Sequence, residues 1–359
     1  MRPRRVLLRT PPLCLALLPV VSISARAQTE RHTISGDRVA IYNLAGKLRV
    51  EGVNGSDVIV EVTRGGRDAE QLRVEKGVIG WRQTLRVVYP GNRVVYPELG
   101  RWDHTTISVA SDGTWGDGER GARDRDRDRD RVEIHGSGSG LEAYADLRVL
   151  VPRGQRIVVH HAVGDARIAN VDGDLSVDVA SANVASEHTR GNLSLDTGSG
   201  SVTVTDAQGD VTLDTGSGGV TITGVKGGTL SVDAGSGTIR ATDVDVSDLK
   251  ADVGSGGVRL SRIRAPRVDV DAGSGGTELE LLGTVEQLKV DAGSGGVTVR
   301  LPANTGAEID VESGSGGIET DFAVELRRFE RQHMIGKIGN GRGRIRIESG
   351  SGHIRLLKG

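Results

Sequence analysis

The stretch "LSVDAGSGTIRAT", residues 230–242, decides the fold. Taken alone it is a Gly/Ser linker between two short apolar runs. Nearly the same phrase returns along the chain, however, and its spacing is regular. Anchored on the acid two places before the first glycine, the series is Asp196, Asp214, Asp233, Asp252, Asp271, Asp291, Glu312 and Glu348. Successive separations are 18, 19, 19, 19, 20, 21 and 36 residues, the last read as two periods. Stepping back 18 residues from Asp196 reaches Asp178, where Ala180-Ser181-Ala182 stands in place of Gly-Ser-Gly, and another 18 reaches His160. A fixed period near 20 residues is the signature of a solenoid, in which each repeat buries its apolar face only by stacking on its neighbours.

Within the period, apolar and polar residues alternate. Leu193 and Leu195, Val211 and Leu213, Leu230 and Val232 flank the outward residues Ser194, Thr212 and Ser231. A second alternating run follows the glycines, as in Val202-Thr203-Val204-Thr205 and Val220-Thr221-Ile222-Thr223. A periodicity of two with β-branched residues predicts strands, and nothing recurs at helical spacing. Each coil therefore reads as strand, Gly-Ser-Gly corner, strand and a variable return loop, the loops falling at residues 206–210, 243–248 and 281–287. The glycines suit a corner because it requires φ above zero, which glycine adopts without steric penalty. The predicted fold class is all-β: a single-chain β-solenoid (β-helix) of roughly ten coils, about 50 Å long at the strand spacing of about 4.8 Å.

The chain ahead of the repeats divides differently. Residues 1–27 carry a basic segment (Arg2, Arg4, Arg5, Arg9), an apolar run over 13–21 and Ala25-Arg26-Ala27, which together predict a cleavable export signal. The apolar run is too short, and too interrupted by Pro19, for a membrane anchor. The single cysteine, Cys14, lies within this signal, so the mature chain is expected to have no disulfide and no thiolate chemistry. Removing its five arginines takes the balance from 46 basic against 48 acidic residues to 41 against 48, a net charge of −7. With no basic face, nucleic acid is excluded as a partner. The expected organisation is a signal peptide at 1–27, an irregular β region and cap at 28–155 and regular repeats at 156–320, followed by a C-terminal coil and cap at 321–359. Residues 38–41, 47–50, 58–62, 85–88 and 147–151 read as strands that start the same sheets. No Phe, Trp or Tyr occurs from 145 to 320, while all three Trp and four Tyr precede and both Phe follow, as caps over an aliphatic stack require. A low-complexity charged loop is expected at 120–131, where Arg and Asp alternate from 123 to 131.

The recurrent "VDAGSGGV" coils, the opening "GDRVAIYNLAGKLRVEG" and the closing "TDFAVEL…IGKIGNGRGRIRIESGSGHIRL" resemble the bacterial DUF4097 family, whose label is that of adhesins. The resemblance spans about residues 36–356. It implies an exported β-solenoid and brings no catalytic residues.

The candidate chemistry lies in the acids. Asp196, Asp214, Asp233, Asp252, Asp271 and Asp291 are expected to stack on one outer edge, where neighbouring charges repel by roughly 1 kcal/mol in water. Each carboxylate is expected to accept backbone N–H bonds from its own corner, as in Asx turns. The alternative is a divalent cation, calcium in particular, held between coils by these six residues. His160 and His161, near Asp165 and with His188 further on, match no metal-ligand spacing and point to opposite faces of one strand. A polysaccharide-cleaving enzyme would need a local carboxylate pair and aromatic platforms, which the coils lack. One outward position reads Thr203, Thr221, Arg240, Arg259, Glu278, Thr298, Glu319 and Arg355, too mixed for an ice-binding rank. The sequence reading is thus a non-catalytic exported protein of the periplasm, outer envelope or cell exterior, with no cofactor, whose extended surface binds an unidentified envelope partner, protein or glycan. Its alternatives are the calcium-binding solenoid and a carbohydrate-active enzyme.

Overall fold

The fold follows from how one coil turns. In the computed structural model, which describes residues 29–116 and 129–359, the strand Leu193–Ser199 buries Leu193, Leu195 and Thr197 and turns Ser194 and Asp196 outward. Gly200, at φ 124°, swings the chain into Val202–Gln208, which buries Val202, Val204 and Ala207. Within that second strand Asp206 sits at φ 52° and bends the backbone, and Gly209 at φ 131° returns it to the next coil. The cross-section therefore has two long sides and one short side around a thin aliphatic core. The expected export signal and residues 117–128 of the charged run lie outside the described residues.

Coils stack by parallel, in-register pairing. Leu193 faces Val211, Leu195 faces Leu213 and Asp196 faces Asp214. The same register carries Asp178 through Asp196, Asp214, Asp233, Asp252 and Asp271 to Asp291. Parallel pairing of this kind lets every strand use both of its edges, which removes the exposed edges that a short amphipathic strand would otherwise present.

Two of the expected return loops are strand. Val202–Gln208 runs into the first, and Ile239–Ser255 runs through the second. A single left-handed residue makes each bend in their place: Asn170, His188, Asp206, Gly224, Asp243 and Arg262 all lie between φ 52° and 74°, one per coil. Pairing resumes directly beyond the bend, with Thr189 on Ala207 and Arg190 on Gln208. Asn, Asp, His and Gly reach this conformation at the lowest steric cost, which accounts for the residue types at five of the six bends. In the third expected loop, residues 282–286 do leave the ladder.

The C-terminal end departs from sequential stacking. Gly343–Ser349 pairs on one side with Gln287–Ala292 and on the other with Ala307–Ser313. Its continuation Ile354–Lys358 likewise lies between Val297–Leu301 and Ile318–Thr320. The last coil in sequence is thus wedged between two earlier ones, and the acid column reads Asp291, Glu348, Glu312. The 36-residue separation is not two stacked periods. It holds a hairpin, Val324–Glu330 with His333–Ile338, whose second strand runs antiparallel along Ala307–Ser313 and covers its edge.

At the other end, Arg38–Ala45 and Leu48–Val53 form a coil around Gly46, on which Gln155–Val163 and Ala166–Ala169 stack. The strands expected at 58–62, 85–88 and 147–151 join the same sheet, whereas Arg93–Val95, Arg129–His135 and His104–Ala110 make a separate three-stranded one. Large buried side chains concentrate here: Tyr42, Tyr89, Tyr96 and Trp115.

The corner glycines have no room for a side chain. A Cβ on Gly237, at φ 141°, would lie 2.0 Å from the carbonyl oxygen of Gly218 in the preceding coil. Gly237→Ala is expected to cost more than about 3 kcal/mol in chemical denaturation, from strain and clash together. Gly55→Ala, whose Cβ would meet only Pro152 at 3.9 Å, is expected to stay within about 0.5 kcal/mol of the parent.

Candidate functional site

The strand alternation that sends Leu195 inward sends Asp196 outward, and the register multiplies this into a line of carboxylates at about 4.8 Å intervals. Most other outward charges on the solenoid pair between coils. Arg259 meets Glu278 at 3.0 Å, Arg267 meets Asp248 at 2.7 Å and Glu286 at 3.4 Å, Arg156 meets Asp174 at 3.3 Å and Lys289 meets Asp269 at 3.6 Å. The line of acids is different. Among the described residues, Asp196, Asp214, Asp233, Asp252, Asp271 and Asp291 have no hydrogen-bond or ion-pair partner. The expected turn capping does not occur, because the corner donors are already committed to the next coil: Gly200 N–H donates to Ser217 O and Val202 N–H to Gly219 O, each at 3.0 Å. Burial, with the neighbouring charges of Asp178 and Asp214 added, holds the Asp196 carboxyl above the ordinary aspartate range. Among the described residues no three His, Asp or Glu side chains converge on a common point as metal ligands, so the six candidates form a linear array and not a cage.

Both ends of the line are compensated. At the far end Arg346 bonds Glu348. At the near end the column position passes from Asp178 to His160 to Tyr42, and His160 Nδ1 lies 3.1 Å from Asp178 Oδ2. His160 stacks on Tyr42 at 4.8 Å between ring centroids and meets Trp115 edge-on at 5.5 Å. It therefore points outward, as the alternation requires, yet is roofed over and only 4% exposed. His161 points inward and is fully buried; it lies 2.9 Å from Gly46 O and 3.1 Å from Gly164 O through Nε2, and 3.4 Å from Asn43 Nδ2 through Nδ1. Asn43 in turn accepts from the Tyr89 hydroxyl at 2.8 Å. Burial pushes the His161 imidazole down to about 4, so it is neutral and donates from Nε2. Neither Asp165 nor His188 joins this pair: Asp165 lies at a corner and His188 faces Asp206 at 3.5 Å. The polar plug of Asn43, Tyr89 and His161 carries no sequence signal, because its members come from segments that only the fold brings together.

Residues 187–357 match the family model described as Toastrack DUF4097. Over these residues, just under half of its length, the chain is similar to the Toastrack DUF4097 family. The matched segment begins within the coil that carries Asp178, in the strand Val184–Arg190, and runs to the wedged coil at the C-terminus. No curated protein matches the chain. A solved structure from Clostridium sporogenes, described as a "putative cell adhesion protein", aligns over 93% of this chain and 100% of its own at 10% identity and a TM-score of 0.23. The matched residues hold all six line acids, so the array is a property of the repeat itself.

Two titrating groups at this end of the molecule oppose one another. Asp196, raised, contributes stability that is present below its unfolded value near 3.8 and is lost as pH rises through its folded value. Asp196→Asn is therefore expected to raise Tm by about 1–3 °C at pH 7, with the gain vanishing on acidification below pH 4. His161, lowered from 6.5 to about 4, contributes stability that is present above pH 6.5 and lost as pH falls toward 4. Over that window the parent protein is expected to lose on the order of 3 kcal/mol from this residue, and His161→Gln to flatten the loss in a series of melts from pH 7 to 4.

Proposed function

We propose that the protein is an exported, non-catalytic module of the cell envelope that presents its rigid solenoid surface for adhesive binding. The observation that carries this reading is the parallel stacking that continues from Gln155–Val163 to the wedged C-terminal coil. It gives flat faces on which outward side chains repeat at fixed intervals. The similarity of residues 187–357 to the Toastrack family and the export signal read at residues 1–27 agree with it. Among the described residues no helix is long and apolar enough to cross a membrane. Fractionation of cells producing the full chain is expected to place the protein in the periplasm, the outer envelope or the medium; recovery from the cytosol alone defeats the reading. Turnover of any polysaccharide by the purified protein defeats its non-catalytic part.

A second reading has one observation in its favour. Six carboxylates in line, without a cation of their own while neighbouring charges are paired, suit divalent cations bound between coils, with calcium the best match to carboxylate oxygens. On this reading millimolar calcium raises the Tm of the purified protein, and the rise shrinks in the variant Asp233→Asn/Asp252→Asn. A Tm unchanged by calcium sets it aside.

A further inference from the structure

Away from the acid line, the turn that follows Arg93–Val95 folds back over the first corners of the solenoid and leaves a groove of about 700 Å³. One wall carries Trp102, which is 85% exposed. An indole this exposed to water forfeits a large apolar contact, and here it is presented from a pinned turn with the Arg101 guanidinium over one face at 5.4 Å, which leaves the other face open. Leu99 N–H donates to Tyr96 O at 3.0 Å, Asp103 N–H to Gly100 O at 3.2 Å and Ser137 Oγ to Arg101 O at 2.7 Å. The opposite wall is where the repeat carries its larger polar residues. The residue after the second corner glycine reads Ser201, Gly219, Thr238, Gly257, Gly276 and Gly296 in later coils, and the groove faces Asp165 and Asn183 at the equivalent positions.

The polar groups are prepared for a ligand. Asn183 Oδ1 accepts from Ser201 N–H at 3.0 Å and from Ser201 Oγ at 2.8 Å, which fixes the amide and leaves its NH₂ to donate. Asp103 and Asp165 are exposed, and among the described residues their carboxylates are unpaired. Glu98, by contrast, is held by Lys47 at 2.9 Å and Tyr96 at 3.3 Å. The floor includes Gly164 and Gly200, where a ligand can approach the backbone. Among the described residues the cations at its rim are already engaged, Arg101 over Trp102 and Lys47 on Glu98.

We propose that this groove binds an uncharged pyranose glycan. The indole receives the C–H face of a sugar ring, Asp103 and Asp165 accept hydroxyl hydrogens, and Asn183 donates to a hydroxyl or ring oxygen. A single flat platform ringed by hydrogen-bonding groups matches one or two sugars. A stable protein partner would need roughly 1,200 Å² or more of buried surface, which one indole in a polar groove does not begin to provide. The uncompensated carboxylates disfavour uronic acids and sulfated sugars. This assignment rests on the reading of the protein as a binding module and supplies its ligand class.

The test titrates the purified protein with short oligomers of glucose, galactose and N-acetylglucosamine, and with oligogalacturonate as the anionic counterpart, following tryptophan emission. At least one neutral oligomer is expected to give a saturable change. Trp102→Ala is expected to weaken that binding by about tenfold or more with Tm unchanged, and Asn183→Ala to weaken it several-fold. Absence of binding by every neutral oligomer, equal binding by Trp102→Ala, equal binding of oligogalacturonate, or release of reducing ends each overturns the proposal. If the oligomers fail while the protein still fractionates with the envelope, the groove assignment falls and the envelope reading stands. A cytosolic location removes the envelope reading whatever the groove binds.

Discussion

Everything in this molecule depends on the parallel hydrogen-bond ladder between coils, and through most of the stack the ladder runs past corners built on glycine. With a coil spacing of about 4.8 Å, the carbonyl of one corner lies where the Cβ of the next would stand, as at Gly237 and Gly218. At such a corner a Cβ would push against the neighbouring coil, whereas the corner at Ala180 and Ala182 carries side chains and still pairs, Ala182 N–H donating to Ser199 O at 3.0 Å. Glycine at this point therefore serves register first and turning second. Given the register, the core needs only Val, Leu, Ile and Ala in small layers, and the absence of aromatics from the middle of the chain follows from the narrowness of the cross-section.

The same ladder makes like residues into neighbours, with opposite electrostatic outcomes in two places. Where the outward residue changes sign between coils, as at Arg259 and Glu278, stacking yields an ion pair. Where the acid is repeated, as from Asp196 to Asp291, stacking yields a line of unrelieved charge. His160 ends this line at one side and Arg346 neutralises Glu348 at the other, so the field is confined to the middle of the solenoid. Such an array does not stabilise the fold, and its persistence through successive coils is better understood as a surface property.

What the sequence made legible was whatever repeats. Strand alternation, the inward and outward faces, the corners and the identity of the stacked acids all follow from a period of two inside a period near 20. Three features were not legible, each for its own physical reason. The bends at Asn170, His188, Asp206, Asp243 and Arg262 depend on a single left-handed residue whose chemical type varies, so they read as loops. The buried partners of His161 come from Asn43 and Tyr89, far apart in the chain. The exposed Trp102 faces Asp165 and Asn183 only because the turn after Arg93–Val95 folds back on the stack, and no local pattern records that approach.

The wedged C-terminal coil fixes the order in which the molecule can be completed. The coil at 287–301 cannot be joined to the one at 307–320 until residues 343–358 are available to lie between them. A chain emerging N-terminus first can therefore stack its coils progressively through residue 301 and must then hold the next one in reserve. Closure waits for residues 343–358, so this end of the stack stays open until they are made. The wedged coil thus terminates a structure whose repeat would otherwise specify no length.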